Sequence, residues 1–285
     1  MLWKLARREL AYGGRTLVMG VLNVTPDSFS DGGRFFDPAR ALARAEEMAE
    51  EGADIIDVGG ESTRPGGAPV SEEEELRRVV PLIEALAARL AVPLSVDTTK
   101  AAVARAALAA GAEIVNDISG LRFDPPLADE AARAGAGLVL MHSRGTRETL
   151  HALPPVEDVM GEVTRGLRRS IAEAVGRGVA RSCIAVDPGI GFGKSQEQNV
   201  ELLARLDRLA REFADFPLLV GPSRKRFIGA LAGVEAPAER LHGTMASVTA
   251  AILGGASIVR VHDVRPAVET ARVADAIKNS PESKV

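Results

Sequence analysis

Eight short, continuously apolar runs alternate with amphipathic, Ala-rich stretches along 285 residues, and polar residues follow nearly every run. These observations predict an α/β fold: a single (β/α)8, or TIM, barrel spanning residues 1–285, with long loops after its first and second strands. Continuous rather than alternating hydrophobicity suits parallel strands covered on both faces. An open doubly wound sheet is the alternative, but eight regular units in one chain favour closure. The length agrees, because one such barrel occupies about 250 residues.

The expected strands are 17–22, 55–58, 94–96, 114–115, 138–141, 184–186, 218–220 and 258–261. Ser71 with Glu74 forms a capping-box pattern ahead of a helix over 76–90. Thr98 or Thr99 can cap a helix running to Ala110, which Gly111 stops. Further helices are expected over 38–51, 156–176, 196–213, 241–253 and 264–278, and the helical signal is weakest after Phe123. No repeat beyond this rhythm, no low-complexity tract and no linker interrupts the chain, so one domain is expected.

Composition narrows the function. Hydrophobic residues make up 46% and aromatics only 4%, so Ala, Val, Leu and Ile must fill the core. A net charge of −4 gives no electrostatic basis for capturing nucleic acid or an anionic membrane. No run approaches the ~18 apolar residues of a membrane span. Lys4, Arg7, Arg8 and Glu9 break the N-terminus as a signal peptide, so a cytoplasmic protein is expected. Cys183 stands alone, which excludes an internal disulfide and any multi-Cys zinc site. Six lysines against 29 arginines make the position of each lysine informative.

In this fold the active site lies at the C-terminal ends of the strands. There the sequence places Asn23, Asp57, Asp97, Asn116 with Asp117, His142, Asp187, Ser223-Arg224-Lys225, and Arg260 with His262 and Asp263. Any one of them could be a helix cap or a satisfied core group; their convergence at eight strand ends points to a site. Two loops are long and glycine-rich: 23–33 (NVTPDSFSDGG) and 59–67 (GGESTRPGG). Glycine lets backbone N–H groups close on an anion, and Arg64 can bind phosphate through two N–H groups.

These loops resemble the two signature loops of the dihydropteroate synthase family. So do 95–98 (SVDT), 114–117 (IVND), 187–194 (DPGIGFGK), 223–225 (SRK) and 260–263 (RVHD), in the family's order over nearly the whole chain. One departure is Ser143, where the family more often carries Met. The resemblance implies condensation of 6-hydroxymethyl-7,8-dihydropterin pyrophosphate with p-aminobenzoate, giving 7,8-dihydropteroate and pyrophosphate in folate biosynthesis.

The residue types suit that chemistry. A pterin presents N–H donors beside ring nitrogens and a carbonyl; Asp97 and Asp187 can accept from the donors, and Asn116 can do both. Asp187 could instead be an Asp-Pro turn residue. Lys225 can reach the pterin carbonyl or the second substrate, with a solvated lysine or a Schiff-base lysine as alternatives, and Arg224 and Arg226 favour a depressed pKa for it. Lys194 is expected to be solvated, and His142 structural; His151 and His242 lack a supporting motif.

By resemblance and charge, Arg260, His262, Arg64 and Asn23 form a pyrophosphate pocket, with Asn23 the implied Mg²⁺ ligand. Thr63 and Phe192 join the substrate-binding set by resemblance, and Phe29, Pro65 and Lys225 are implied to line the p-aminobenzoate site. Many family members carry serine after that lysine, whereas this chain has Arg226. Cleavage of C–O ahead of attack leaves a delocalised pterin cation, for which Asp31 is the anionic candidate. The implied catalytic set is thus Asp31, Lys225, Arg260 and His262. Alternatives are a pterin-binding barrel of the methyltetrahydrofolate methyltransferase type, an inactive pterin-binding protein and a Schiff-base aldolase. The resemblance also implies a homodimer through the last helices, over 246–253 and 268–276.

Overall fold

The computed structural model describes residues 1–24, 38–61, 70–146, 149 and 153–280. A hairpin of β1 (Leu2–Lys4) and β2 (Glu9–Ala11) precedes the barrel strands β3 (Leu17–Asn23), β4 (Ile55–Gly59), β5 (Leu94–Asp97), β6 (Ile114–Asp117), β7 (Gly137–Met141), β8 (Ile184–Asp187), β9 (Leu219–Val220) and β10 (Ile258–Val261). The helices are α1 (Pro38–Glu50), α2 (Glu72–Ala87), α3 (Ala101–Ala110), α4 (Leu127–Ala134), α5 (Val159–Gly176), α6 (Gln196–Ala204), α7 (Leu206–Glu212), α8 (Arg226–Ala232), α9 (Leu241–Leu253) and α10 (Val264–Lys278).

The eight barrel strands run in the order β8-β7-β6-β5-β4-β3-β10-β9, all parallel. A bridge between Val186 and Leu218, with Val186 N donating to Pro217 O at 3.0 Å, joins the two ends of that order. The runs expected from sequence are therefore strands of a (β/α)8 barrel.

Successive residues of a strand face opposite sides, so each strand serves two cores. On β4, Ile55 belongs to the inner cluster and Ile56 and Val58 to the outer one beneath the helices. The inner cluster unites Leu17, Met19, Ile114, Val139 and Ile258 with Trp3, Leu5 and Tyr12 of the hairpin segment. The hairpin thus plugs the bottom of the barrel, and Trp3 Nε1 donates to Cys183 O at 2.8 Å. No apolar run or helical period in residues 1–12 announces that plug. One step up the strands the inward positions become polar: Asp57, Asp97, Asn116, Asp187 and Arg260. The charged inward positions thus lie at the end where a ligand could satisfy them.

Some helix ends differ from expectation. Ser71 Oγ accepts from Glu74 N at 3.2 Å, but the Glu74 carboxylate turns to Arg77 and Arg78, so only half a capping box forms. The complete box is Ser195 with Gln198. Lys100, not Thr98 or Thr99, is the N-cap of α3, and Asp124 Oδ2 accepts from Ala101 N at 2.6 Å. The stretch 196–213 forms two helices that break at Arg205. The segment after Phe123 forms α4, ended by Gly135 in the left-handed conformation.

Candidate active site

A cleft of about 800 Å³ opens at the C-terminal ends of the strands. Its lining includes Asn23, Glu61, Asp97, Phe192, Lys225, Arg260 and His262. Asn116 and Asp187 lie in the same inward layer and are buried. Of the residues singled out from sequence, Phe29, Asp31, Thr63, Arg64, Pro65 and His151 lie outside the described residues.

Arg260 organises the floor. Its Nε donates to Asp57 Oδ2 at 2.6 Å and its Nη2 to Asp97 Oδ2 at 2.7 Å. Asn116 Nδ2 donates to the same Asp57 oxygen at 3.0 Å. Asp57 is fully buried, and its other oxygen, Oδ1, has no hydrogen-bond partner among the described residues. Asp57, which its place at a strand end alone gives no role, is the residue that fixes Arg260. Burial opposes the charge on Arg260, but Asp57 and Asp97 outweigh it and raise its pKa. Only two of its five N–H donors are used in these pairs, and its planar face remains suited to stacking on a ring.

The carboxylates respond to the same burial. Asp97 is pushed up to about 7, first by desolvation, with Arg260 opposing and Asp57 and Glu75 adding. Asp187 is pushed up to about 6 by desolvation, opposed by the Gly189 N–H that Oδ1 accepts at 2.6 Å and by Lys225 and Lys194. Both therefore titrate near neutrality rather than in the ordinary carboxylate range.

Lys225 stands at the N-cap of α8, its Nζ 3.9 Å from the centroid of the Phe192 ring. Its pKa falls to about 8, first through burial and then through Arg260, with Asp187 and Asp97 opposing. The depression expected from Arg224 and Arg226 thus has a different source. Arg224 faces away, donating to both oxygens of Asp263 at 3.0 and 2.6 Å. Its backbone has φ +59, a left-handed conformation that L-residues adopt at a cost, held by Thr244 Oγ1 on its N–H and Arg240 Nη1 on its carbonyl.

Ser223 Oγ accepts from His262 N at 3.2 Å and lies 3.0 Å from His262 Nδ1. The hydroxyl can donate to Nδ1 or, through its second lone pair, accept from it, according to the tautomer of His262.

Lys194, His142 and Ser143 lie beside the cleft's wall rather than on its floor. Lys194, expected to be solvated, is largely buried: its Nζ donates to three backbone carbonyls, those of Gly189 at 2.8 Å, Phe192 at 2.9 Å and His142 at 3.3 Å. His142 is buried, with its pKa pushed far down by desolvation and then by Lys194 and nearby arginines, so it stays neutral. Ser143 accepts from Arg122 Nη2 at 2.8 Å.

The family model described as "Pterin binding enzyme" matches residues 19–262. The dihydropteroate synthase of a Synechocystis species is 50% identical over 266 residues, covering 93% of this chain and 91% of that one. A Xanthomonas albilineans dihydropteroate synthase structure with 4-aminobenzoic acid superposes with a TM-score of 0.90 at 46% identity, covering 99% of this chain and 100% of that one. The same organism's enzyme in complex with 7,8-dihydropteroate gives a TM-score of 0.86 at 44% identity, covering 98% and 100%.

Proposed function

The chain belongs to the dihydropteroate synthase family, and from that membership we propose how its barrel mouth performs the family's condensation. It joins 6-hydroxymethyl-7,8-dihydropterin pyrophosphate to p-aminobenzoate, making it a transferase of folate biosynthesis. The observation that carries the reading is the buried network of Asp57, Asn116, Asp97 and Arg260 beneath a cleft that Lys225, Phe192 and His262 also line.

The pterin ring lies on this floor. Asp97, Asp187 and Asn116 meet its N–H edge, Lys225 supplies a donor for its carbonyl, and the Arg260 plane stacks against the ring. Cleavage of the C–O bond sends its electron pair to the departing pyrophosphate and leaves the methylene attached to a delocalised cation. Arg260, His262 and Arg64 stabilise the departing anion, and Asp31 the cation. The amine of p-aminobenzoate, held with Phe29, Pro65 and Lys225 and beside Phe192, then forms the C–N bond, and its surplus proton leaves to solvent or pyrophosphate.

Asn23 is the residue that would hold Mg²⁺. Its carboxamide lines the cleft at the end of β3, with the Oδ1 atom close to Gly59. One hard oxygen fits a cation that keeps several waters and takes its remaining ligands from phosphate. No group of three His, Cys, Asp or Glu side chains among the described residues could hold a metal on its own. When bound, the ion supplies charge neutralisation for the pyrophosphate. We place the protein in the cytoplasm; no helix among the described residues is long and apolar enough to cross a membrane. We also propose a homodimer through α9 and α10, whose Leu253, Val273 and Ile277 are 46%, 63% and 53% exposed; light scattering tests it.

The test of function is pyrophosphate release from the dihydropterin pyrophosphate with Mg²⁺, with and without p-aminobenzoate. Release that depends on p-aminobenzoate and yields dihydropteroate is expected. Pterin binding without turnover would overturn the reading.

A further inference from the structure

Of the lysines near the cleft, Lys194 takes no part in the reaction above, yet it is buried more deeply than its position in a glycine-rich loop demands. An ammonium group has three N–H donors. Here the three carbonyls of Gly189, Phe192 and His142 use all of them, and among the described residues Lys194 forms no salt bridge. Two of these carbonyls belong to the loop after β8, and the third to the residue that follows β7. The ammonium therefore ties two neighbouring strand ends together through backbone alone.

The loop is built so that its carbonyls can converge. Gly189 has φ +69, and a Cβ there would stand 1.9 Å from His142 O, so only glycine lets the two strand ends approach this closely. Gly191 has φ +82, and a Cβ there would stand 2.8 Å from Lys225 Cδ. Its N–H donates to Asn199 Oδ1 at 2.6 Å, and Arg144 Nη1 donates to Gly193 O at 3.2 Å. The loop thus forms the wall against which the Lys225 stem lies, and Phe192 is the ring that meets its ammonium.

We infer that Lys194 is a positioning residue that sets Phe192, and through it Lys225, for capture of the aromatic amine, a role resting on the proposed condensation. A hydrocarbon of similar length would remove one buried cation but take the Lys194 donor from the His142 and Phe192 carbonyls and leave Gly189 O with only the Phe192 N–H, at 3.1 Å. The loop would then rotate its peptide planes toward water, and Phe192 would move with them. Burial lowers the Lys194 pKa to about 7, with Asp187 opposing, so the charged form depends on Asp187 and on the carbonyls that accept from it.

The test compares Lys194→Met, Phe192→Ala and the double variant, with direct pterin binding measured by calorimetry and steady-state kinetics for both substrates. Lys194→Met is expected to raise the KM for p-aminobenzoate roughly tenfold, a larger effect than on pterin affinity, to which Lys225 contributes one donor among several groups. In the Phe192→Ala background the same substitution is expected to add little, because residues acting through one another are non-additive. Additive losses, or unchanged KM with only a lower Tm, would overturn the inference. Should Lys194→Met not fold, Lys194→Gln, which keeps two donors on a shorter stem, is read by the same comparison. Turnover by the unsubstituted protein tests the condensation separately: its absence removes the function, whereas turnover with the wrong kinetic pattern removes only the role of Lys194.

Discussion

The Arg260 guanidinium donates to Asp97 Oδ2 at 2.7 Å across the barrel mouth, while its Nε holds the fully buried Asp57 at 2.6 Å. One cation thus links strands β4, β5 and β10 and faces the cleft at once. Arg260→Met would leave Asp57 with Asn116 as its one side-chain partner among the described residues. Removing one member of a buried pair costs about 3–5 kcal/mol. We expect urea unfolding to show a loss of that order and turnover to disappear. Adding Asp57→Asn should restore most of the stability and none of the activity. A double variant no more stable than Arg260→Met would show that the pair is not the source of the cost.

Asp187 should show stability and function moving in opposite directions. Its raised pKa, about 6, means that the ionised form is disfavoured in the folded state. The sign follows: the folded protein binds this proton more tightly, so stability from this group is greatest in acid and declines as pH rises toward 6. Asp187→Asn removes the buried charge and keeps an acceptor for Gly189 N–H. We expect a Tm at neutral pH equal to or above that of the unsubstituted protein, with pterin affinity lower by roughly tenfold. A Tm several degrees lower would contradict the burial argument.

The same residue gives the acid limb of binding. Together with Asp97, pushed up to about 7, it should make pterin affinity fall as pH drops from about 7 through about 6, because a protonated carboxyl accepts fewer N–H bonds. Lys225, lowered to about 8, gives an alkaline limb to kcat/KM as the ammonium loses its proton. Lys225→Arg keeps the charge at every accessible pH. It should therefore reduce activity yet move the alkaline limb upward. An alkaline limb unmoved in that variant would assign it to another group.

Much of this was legible because barrel strands announce themselves by continuous apolar runs, and their ends by a change to polar residues. Asp97, Asn116, Asp187, Lys225, Arg260 and His262 could be placed at one end of the barrel on that ground alone. What stayed hidden depends on tertiary partners. Asp57 acquires its meaning from Arg260, 203 residues away. The three-residue strands β1 and β2 have too little periodicity to read, and their value lies in Trp3 filling the barrel bottom. Lys194 looked solvated because a glycine loop is usually exposed; that its carbonyls turn inward is a property of φ values, which no local pattern declares. Arg224 likewise was expected to press on Lys225, whereas its φ of +59 turns it to Asp263.

The last prediction concerns Lys100, which follows β5 and caps α3. Its Nζ donates to Glu61 Oε2 at 2.9 Å, to Val70 O at 3.0 Å and to the almost fully buried Glu75. Glu61 Oε1 in turn accepts from Val70 N at 3.2 Å. Residues 61 and 70 are thereby fastened to each other and to α2, and Glu61 lines the cleft. Lys100→Met would strand the Glu75 carboxylate inside the protein, at a cost of about 3 kcal/mol or more. Lys100→Met with Glu75→Gln removes both charges of the buried pair and should recover most of that loss in urea unfolding. If Lys100 acts only as the partner of Glu75, the double variant will regain activity together with stability. If its hold on Glu61 and Val70 matters for the cleft, the double variant will be stable and still show a raised KM. A double variant as unstable as Lys100→Met would show that Glu75 is not the residue Lys100 neutralises.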